Sequence, residues 1–564
     1  MTDRDGATER LTSDGWRGGR GVPVAVWAIA LIAAVLHLMP HVRAMSQAPE
    51  GWVFTGTTNV SPDVMQYRSW MRRTQVTGVL VDNRFTTEAN EPYLPVLVYY
   101  MAGQVSAATG ASPEWVFAGL GSAAAFALTV LLFVTVRRFC ESSKQMWWVF
   151  GVVLLGGGLG AYLKVLQYFG PLAAVRDWAP IDRTLIKGVE QAPVFEDYRG
   201  QYVYGTLFDA HFAVIWVLVL LSILAMVNLL SRPSVLRAAV VMVSTGFVAF
   251  VHVYSGLLLG LIAVMVALVC RLRGVGVRGA VTAACVTVIG VGGVLGFVAA
   301  RASASGLPMP TWRDIGILPA TVLIGYPLVW LVIPFGLGSF WKQAEVKRCV
   351  LVGWGLGCLC MLLSGPFFPY PARGALTLAV PLYLIAGSVF FERFDRVKWW
   401  GVGVVVVLLG ASPVLSVYSR WESTSFDADR DYMFESADHR VHLDYLDQHA
   451  EESDVLLVDF PDPPNDWRGD ALWLLPAYRG IAYCGHFFLT VGYEEKRPAV
   501  HALYRDADAA ARGAFLREHG IGYVFVGPTD DAASWAAIKG LSVVVSNGVG
   551  ALLEHEDGSA NGAR

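Results

Sequence analysis

Several stretches of this 564-residue chain hold residues whose types and spacing could do chemistry. The first runs Thr55-Gly56-Thr57-Thr58-Asn59-Val60-Ser61-Pro62-Asp63, with Tyr67 and Trp70 following. Ser61 is a favoured N-cap and Pro62 suits the first helical position, so a helix is predicted to begin here. Asp63 then lies at a helix N-terminus, where the macrodipole favours the carboxylate. Tyr67 and Trp70, at i+4 and i+7, share its face. An ionised carboxylate beside aromatic rings can serve as a base; the plainer reading is that Asp63 only favours the helix start. Next come Asp82, Thr86-Thr87-Glu88 and Glu91, leading into Tyr93, Tyr99 and Tyr100. His211 (beside Asp209) and His252 (beside Tyr254) close or open apolar runs, where polar side chains are costly and usually face a water-filled cavity. Ordinary interfacial packing is the alternative for both. Pro369-Tyr370-Pro371-Ala372-Arg373-Gly374 puts a guanidinium just before another apolar run, and Lys164 sits within one.

The elements that must position these groups are membrane spans. The chain is 55% hydrophobic and 16% charged with mean hydropathy +0.48, whereas a soluble domain carries about 25% charged residues. Runs long enough to cross a ~30 Å hydrocarbon core fall at 22–42, 114–136, 146–169, 208–230, 236–252, 255–270, 279–300, 317–340, 349–365, 374–391 and 399–417. The close pair 236–252 and 255–270 implies a tight turn at Val253–Tyr254. Residues 94–109 are too short to span and read as an interfacial or re-entrant helix. With eleven spans and the N-terminus (residues 1–21) in the cytoplasm, the inner segments hold 18 Lys and Arg in about 60 positions, against 12 in about 135 positions of the outer loops before the tail, the bias expected of short cytoplasmic loops. The first span lacks a small-residue cleavage pattern and reads as an anchor. Loops 43–113 and 170–207 and the tail 418–564 are therefore expected outside the cytoplasmic membrane. The tail is acidic: residues 1–417 carry 31 basic and 21 acidic side chains, 418–564 carry 12 and 25.

Within the tail, 454–460 and 521–526 read as buried strands, and 506–519 as a helix closed by Gly520. A short helix near 531–538 and a strand pair over 541–553 turning at Asn547-Gly548 complete a small α/β domain. Of seven cysteines only Cys484 lies outside, so this domain has no internal disulfide. No basic patch suggests nucleic acid. No internal repeat is apparent, which disfavours transporters built on inverted repeats.

The acidic residue of a long first outer loop, a Tyr four residues on and a TTE-like element resemble membrane glycosyltransferases of the GT-C class. The similarity is to the bacterial branch related to protein O-mannosyltransferases and lipid A aminoarabinose transferases. Leu475-Pro476-Ala477-Tyr478, Tyr483-Cys484-Gly485-His486, the Gly520–Pro528 segment and the Arg373 element look like recurrent features of that branch. The resemblance implies a polytopic helical fold of about eleven spans with an extracytoplasmic α/β domain. It implies an enzyme that moves a sugar from a polyprenyl-phosphate donor to a glycan, lipid or protein acceptor outside the cytoplasmic membrane. Carried over residue by residue, it makes Asp63 the general base and Arg373 the donor-phosphate contact, with a snorkelling arginine as the alternative. Tyr67, Glu88, His211, His252 and Lys164 become further substrate-binding candidates; Lys164 also reads as a snorkelling lysine. Val64 follows Asp63, so the paired acids of the protein mannosyltransferases are absent, and no D-x-D stands in the outer loops. Glu190, Glu196 and Asp197 could hold a divalent ion, but a solvated acidic loop fits them better. No cofactor is firmly implied, and a metal-independent reaction is favoured. The neighbouring reading is a polymerase or ligase of lipid-linked glycans. A transporter or flippase would place charges deep on both sides of the midplane, and a sensor or scaffold would leave the long aromatic loops unexplained.

Overall fold

A computed structural model of the chain describes residues 21–56, 58, 62–156, 210–304, 327–343, 345–364, 374–393, 421, 424–426, 433–459, 480–485, 489–528, 530 and 532–556. Helix α1 (Val24–Gln47) is followed by β1 (Trp52–Phe54), α2 (Pro62–Arg73), β2 (Leu80–Val81), β3 (Leu94–Pro95) and α3 (Leu97–Thr109). Then come α4 (Pro113–Phe139), α5 (Ser143–Leu155), α6 (Ala210–Ser231), α7 (Val235–Val251), α8 (Val253–Arg273) and α9 (Val277–Ala304). Helices α10 (Pro327–Lys342), α11 (Val346–Leu363) and α12 (Ala375–Arg393) precede β4 (Phe434–Ser436), α13 (Ala437–His449), β5 (Val455–Val458) and β6 (Ile481–Ala482). The chain closes with α14 (Tyr493–Arg505), α15 (Ala509–Glu518), β7 (Ile521–Val526), α16 (Ala532–Ala536), β8 (Leu541–Asn547) and β9 (Gly550–His555).

Six of these helices, α1, α4, α6, α8, α9 and α11, are long and apolar enough to cross a bilayer; α7 and residues 377–391 of α12 are apolar but shorter. Each answers to a run read from the sequence. The C-terminal part of the third run, the start of the eighth and the whole of 399–417 lie outside the described residues. The protein is a polytopic helical membrane protein. Local chemistry sets several helix starts: the Ser142 and Ser234 hydroxyls accept the backbone N–H of Gln145 (3.2 Å) and Arg237 (3.3 Å). The break between α7 and α8 falls at His252, one residue before the expected Val253–Tyr254 turn.

By its contacts the chain divides into two compact units, one of residues 1–38, 119–296 and 313–422, the other of 39–118, 297–312 and 423–564. In the helical unit, packing depends on small residues that let backbones approach. A Cβ at Gly353 of α11 would stand 2.5 Å from Val266 Cα of α8, and one at Gly357 would stand 2.7 Å from Ile262 Cα. Trp354, between them, is fully buried and donates its indole N–H to Thr377 Oγ1 of α12 at 2.9 Å.

The second unit is built on a five-stranded sheet in the order β6-β5-β7-β9-β8. Strands β6, β5 and β7 are parallel, while β9 runs antiparallel to β7 and β8. Val524 and Val526 join one apolar cluster while Tyr523 and Phe525 join another. Both sheet faces are covered, which is why β5 and β7 read as unbroken apolar runs. Asp508 caps α15, accepting the N–H of Ala511 at 2.8 Å, and Gly520 follows that helix at φ +61°. The β8–β9 hairpin pairs Asn547 with Gly550, so its turn residues are Gly548 and Val549, one position beyond the expected Asn547-Gly548. Residues 39–118 belong to this unit. Strand β1 pairs antiparallel with β4, Arg84 O accepts the N–H of Ala482 at 2.8 Å, and Thr86 bridges to Cys484.

Candidate active site

Helix α2 begins at Pro62, as Ser61-Pro62 predicted, and Asp63 is its second residue. The helix is fixed further along. Arg68 Nε donates to Glu114 Oε1 at 2.9 Å, and both side chains are buried. Gly56, at φ +82°, lies where any Cβ would strike the Glu114 side chain, so the loop before α2 can pass the start of α4 only as glycine. On the other side, Gly103 of α3 lies against the Met71 carbonyl with no room for a Cβ. The Tyr67 ring stacks on Tyr99 at 4.6 Å, and Trp70 packs against Tyr99 at 5.3 Å. With Phe117 these rings form an aromatic wall along the helix that carries Asp63.

Glu88 is held by Lys496 Nζ at 2.7 Å and by the Thr86 hydroxyl, and Lys496 also reaches Thr87 Oγ1 at 3.2 Å. These contacts outweigh burial and keep the Glu88 carboxyl below its ordinary range. The TTE-like element thus ties the first loop to α14. At the C-terminal end of α2, Arg73 bridges Asp82 (3.3 Å) and Glu452 (2.7 Å), and Arg84 also pairs with both carboxylates. None of these arginines stood out in the sequence. The only signal was an Arg-Arg doublet at a helix end, where cations suit the macrodipole.

In the helical unit His211 opens α6 and is buried, and its ring meets that of His252 edge-on at 5.4 Å. His252 caps α8. Its Nδ1 accepts the Ser255 N–H at 3.2 Å and lies 2.8 Å from Ser255 Oγ. An Nδ1 engaged as acceptor puts the proton of a neutral ring on Nε2. The structure thus brings His211 and His252 together; in the other unit Asp63 and Tyr67 stand on α2, and Glu88 is tied to α14. Arg373, Lys164, Asp209, Glu190, Glu196 and Asp197 lie outside the described residues. Among the described residues, no three His, Cys, Asp or Glu side chains group as metal ligands.

The sequence matches no protein-family model and no curated protein. Its fold is nevertheless found among solved structures. An oligosaccharyltransferase from Archaeoglobus fulgidus, solved with zinc and sulfate, matches over 89% of this chain and 67% of its own length, at 11% identity and TM-score 0.54. ArnT from Cupriavidus metallidurans, bound to undecaprenyl phosphate, matches over 94% of this chain and 98% of its own, at 11% identity and TM-score 0.50. The chain has the GT-C fold. The arabinofuranosyltransferase AftD from Mycobacteria is alike over 95% of this chain at 12% identity and TM-score 0.56, although the chain spans only 40% of AftD. Correspondence over nearly the whole of this chain means that the GT-C fold takes in both the helical unit and the unit carrying the sheet.

Proposed function

We propose that this protein is a glycosyltransferase of the cytoplasmic membrane, moving a sugar from a polyprenyl-phosphate donor to a glycan, lipid or protein acceptor on the extracytoplasmic face. One observation carries the reading: a chain with the GT-C fold, shared along its length with ArnT bound to undecaprenyl phosphate, starts a helix in its first long loop with a carboxylate at the second position. Asp63, favoured as a carboxylate by the helix terminus, takes the proton of the acceptor hydroxyl. The acceptor oxygen attacks the anomeric carbon as the bond to the donor phosphate breaks, and the polyprenyl phosphate leaves. A single displacement of this kind inverts the anomeric centre. Arg373 carries the donor phosphate, its planar fork matching two phosphate oxygens. Lys164, His211 and His252 line the way to the lipid phosphate. Tyr67 and Glu88 shape the loop around the base, Tyr67 through the aromatic wall and Glu88 through Lys496.

Replacing Asp63 by Asn keeps shape and removes the base, a role worth roughly 10²–10⁴ in rate. Sugar transfer by purified Asp63→Asn is expected to fall by at least that factor while its thermal unfolding stays that of the parent. Full activity in the variant would remove Asp63 from the chemistry.

A further inference from the structure

Helices α8 and α11 run antiparallel, and their closest approach keeps a fixed register. Gly357 meets Ile262 and Gly353 meets Val266, so each contact lies one helical turn from the next on both helices. One further turn in the same register brings Cys349 of α11 to Cys270 of α8. There the two thiols act on each other as hydrogen-bonding neighbours. Cys270 is fully buried and Cys349 nearly so. A disulfide needs Cα atoms roughly 4.4–6.8 Å apart and side chains that point at one another. Two cysteines in direct contact, one turn beyond a pair of helices that touch through glycine, meet both requirements. Cys358, further along α11, turns instead to Thr377 Oγ1 of α12, 3.3 Å away.

The surroundings also suit sulfur chemistry. Arg273, in the last turn of α8, stands near enough for its charge to act on Cys349. Its guanidinium is held over the Trp341 ring at 5.0 Å and donates to the Lys342 carbonyl at 3.2 Å. A fixed cation beside a thiol is a setting in which the sulfur serves as a nucleophile. Arg271 and Arg273 end α8, and Lys347 and Arg348 begin α11, the charge pattern expected at a cytoplasmic boundary. Thiols in that compartment are kept reduced, and the disulfides that form there are transient and redox-sensing.

We propose that Cys270 and Cys349 are a modification site, forming a reversible disulfide with a hydroperoxide as oxidant and so fastening α8 to α11, whether or not the protein transfers sugars. The Cys349 sulfur attacks the outer oxygen of the hydroperoxide. The O–O bond breaks, the thiol proton passes to the departing oxygen, and an alcohol leaves (water, if the oxidant is hydrogen peroxide). The Cys270 sulfur then attacks the resulting sulfenic sulfur; the S–O bond breaks and the hydroxyl leaves as water with the Cys270 proton. Two thiols are oxidised, and one hydroperoxide is reduced by the same two electrons.

The test treats the full-length protein in lipid nanodiscs with hydrogen peroxide or tert-butyl hydroperoxide. Remaining thiols are blocked with a maleimide, and the digest is read by mass spectrometry. A peptide pair joining Cys270 to Cys349 is expected as the main cross-link, lost on treatment with dithiothreitol. The bridged protein should also unfold several degrees higher, because the bond closes the chain carrying α9 and α10 into a loop. Bridging by one oxidant alone upholds the pair and identifies its source. Cys270→Ser is expected to leave a Cys349 sulfenic acid that dimedone traps, and Cys349→Ser to leave Cys270 unlabelled. Gly353→Ala, which parts the helices, should slow bridging at least tenfold, and Gly355→Ala should not. Both cysteines recovered as free thiols would overturn the proposal. So would oxidation beyond the sulfenic acid without a bridge, bonds to other cysteines instead, or equal rates in the two glycine variants. Should a cysteine variant not fold, the cross-link in the parent protein decides alone.

Discussion

At the scale of single residues, the sheet-bearing unit holds a pair of histidines kept neutral by burial. His439 is pulled down to about 4 from an ordinary 6.5, by burial first and then by the like charge of His442. His442 is fully buried against the edge of Phe525, with Nε2 3.0 Å from Asn547 Oδ1, and burial lowers it too. In both cases the unfolded chain binds protons that the folded chain refuses. Stability is therefore complete above about pH 6.5 and is lost as pH falls towards 4. Glu435 and Asp454, raised by burial, act in the opposite sense, losing their contribution as pH rises. Substitution at one site separates the terms. His439→Gln is expected to flatten the loss of thermal stability between pH 6.5 and 4, by at most about 3 kcal/mol for a shift of this size. An unchanged pH profile would mean that His439 titrates normally.

At the scale of elements, the close approach of α8 and α11 is decided by two glycines one turn apart. Between them, Gly355 has no atom within 4 Å of where its Cβ would stand. The three positions make an internal comparison on one helix. Gly353→Ala and Gly357→Ala force α8 and α11 apart, an overpacking cost of about 1–3 kcal/mol each. Gly355→Ala should be neutral or mildly stabilising, since Ala favours helix over Gly. Unfolding temperatures in detergent should fall for the first two and hold for the third. Equal behaviour at all three would mean that the helices are not in backbone contact there. The α7–α8 break follows the same logic: Gly256 faces Ala249 with no space for a Cβ, and one extended residue, His252, turns the chain while capping the helix that follows.

At the scale of the whole molecule, the proposed chemistry depends on which side of the membrane the first loop occupies. From the bias of 18 basic residues in the inner segments against 12 in the outer loops, α2 is expected outside and the α8–α9 turn in the cytoplasm. Val76, just beyond α2, and Leu272, in the last turn of α8, are 76% and 70% exposed and suit labelling. In a background without the native cysteines, Val76→Cys should react with a membrane-impermeant maleimide in intact cells. Leu272→Cys should react only after permeabilisation. The opposite pattern would invert the topology and with it the extracytoplasmic site.

What the sequence determined by itself is local. Apolar runs longer than a bilayer needs mark the long helices, Ser61-Pro62 starts α2, Gly520 closes α15, and apolar runs mark the buried strands. These depend on residues within one or two turns of each other, so the period of the pattern is enough to read them. The tertiary structure alone decided which distant segments meet. Glu88 finds Lys496, Arg68 finds Glu114, and the strand edge at Ala482 and Cys484 is met by Arg84 and Thr86 from the first loop. No spacing rule joins residues that lie 46 or 408 positions apart. Charges and unpaired backbone groups are satisfied by whatever the folded chain brings within 3 Å, and that proximity exists only once the cores have closed.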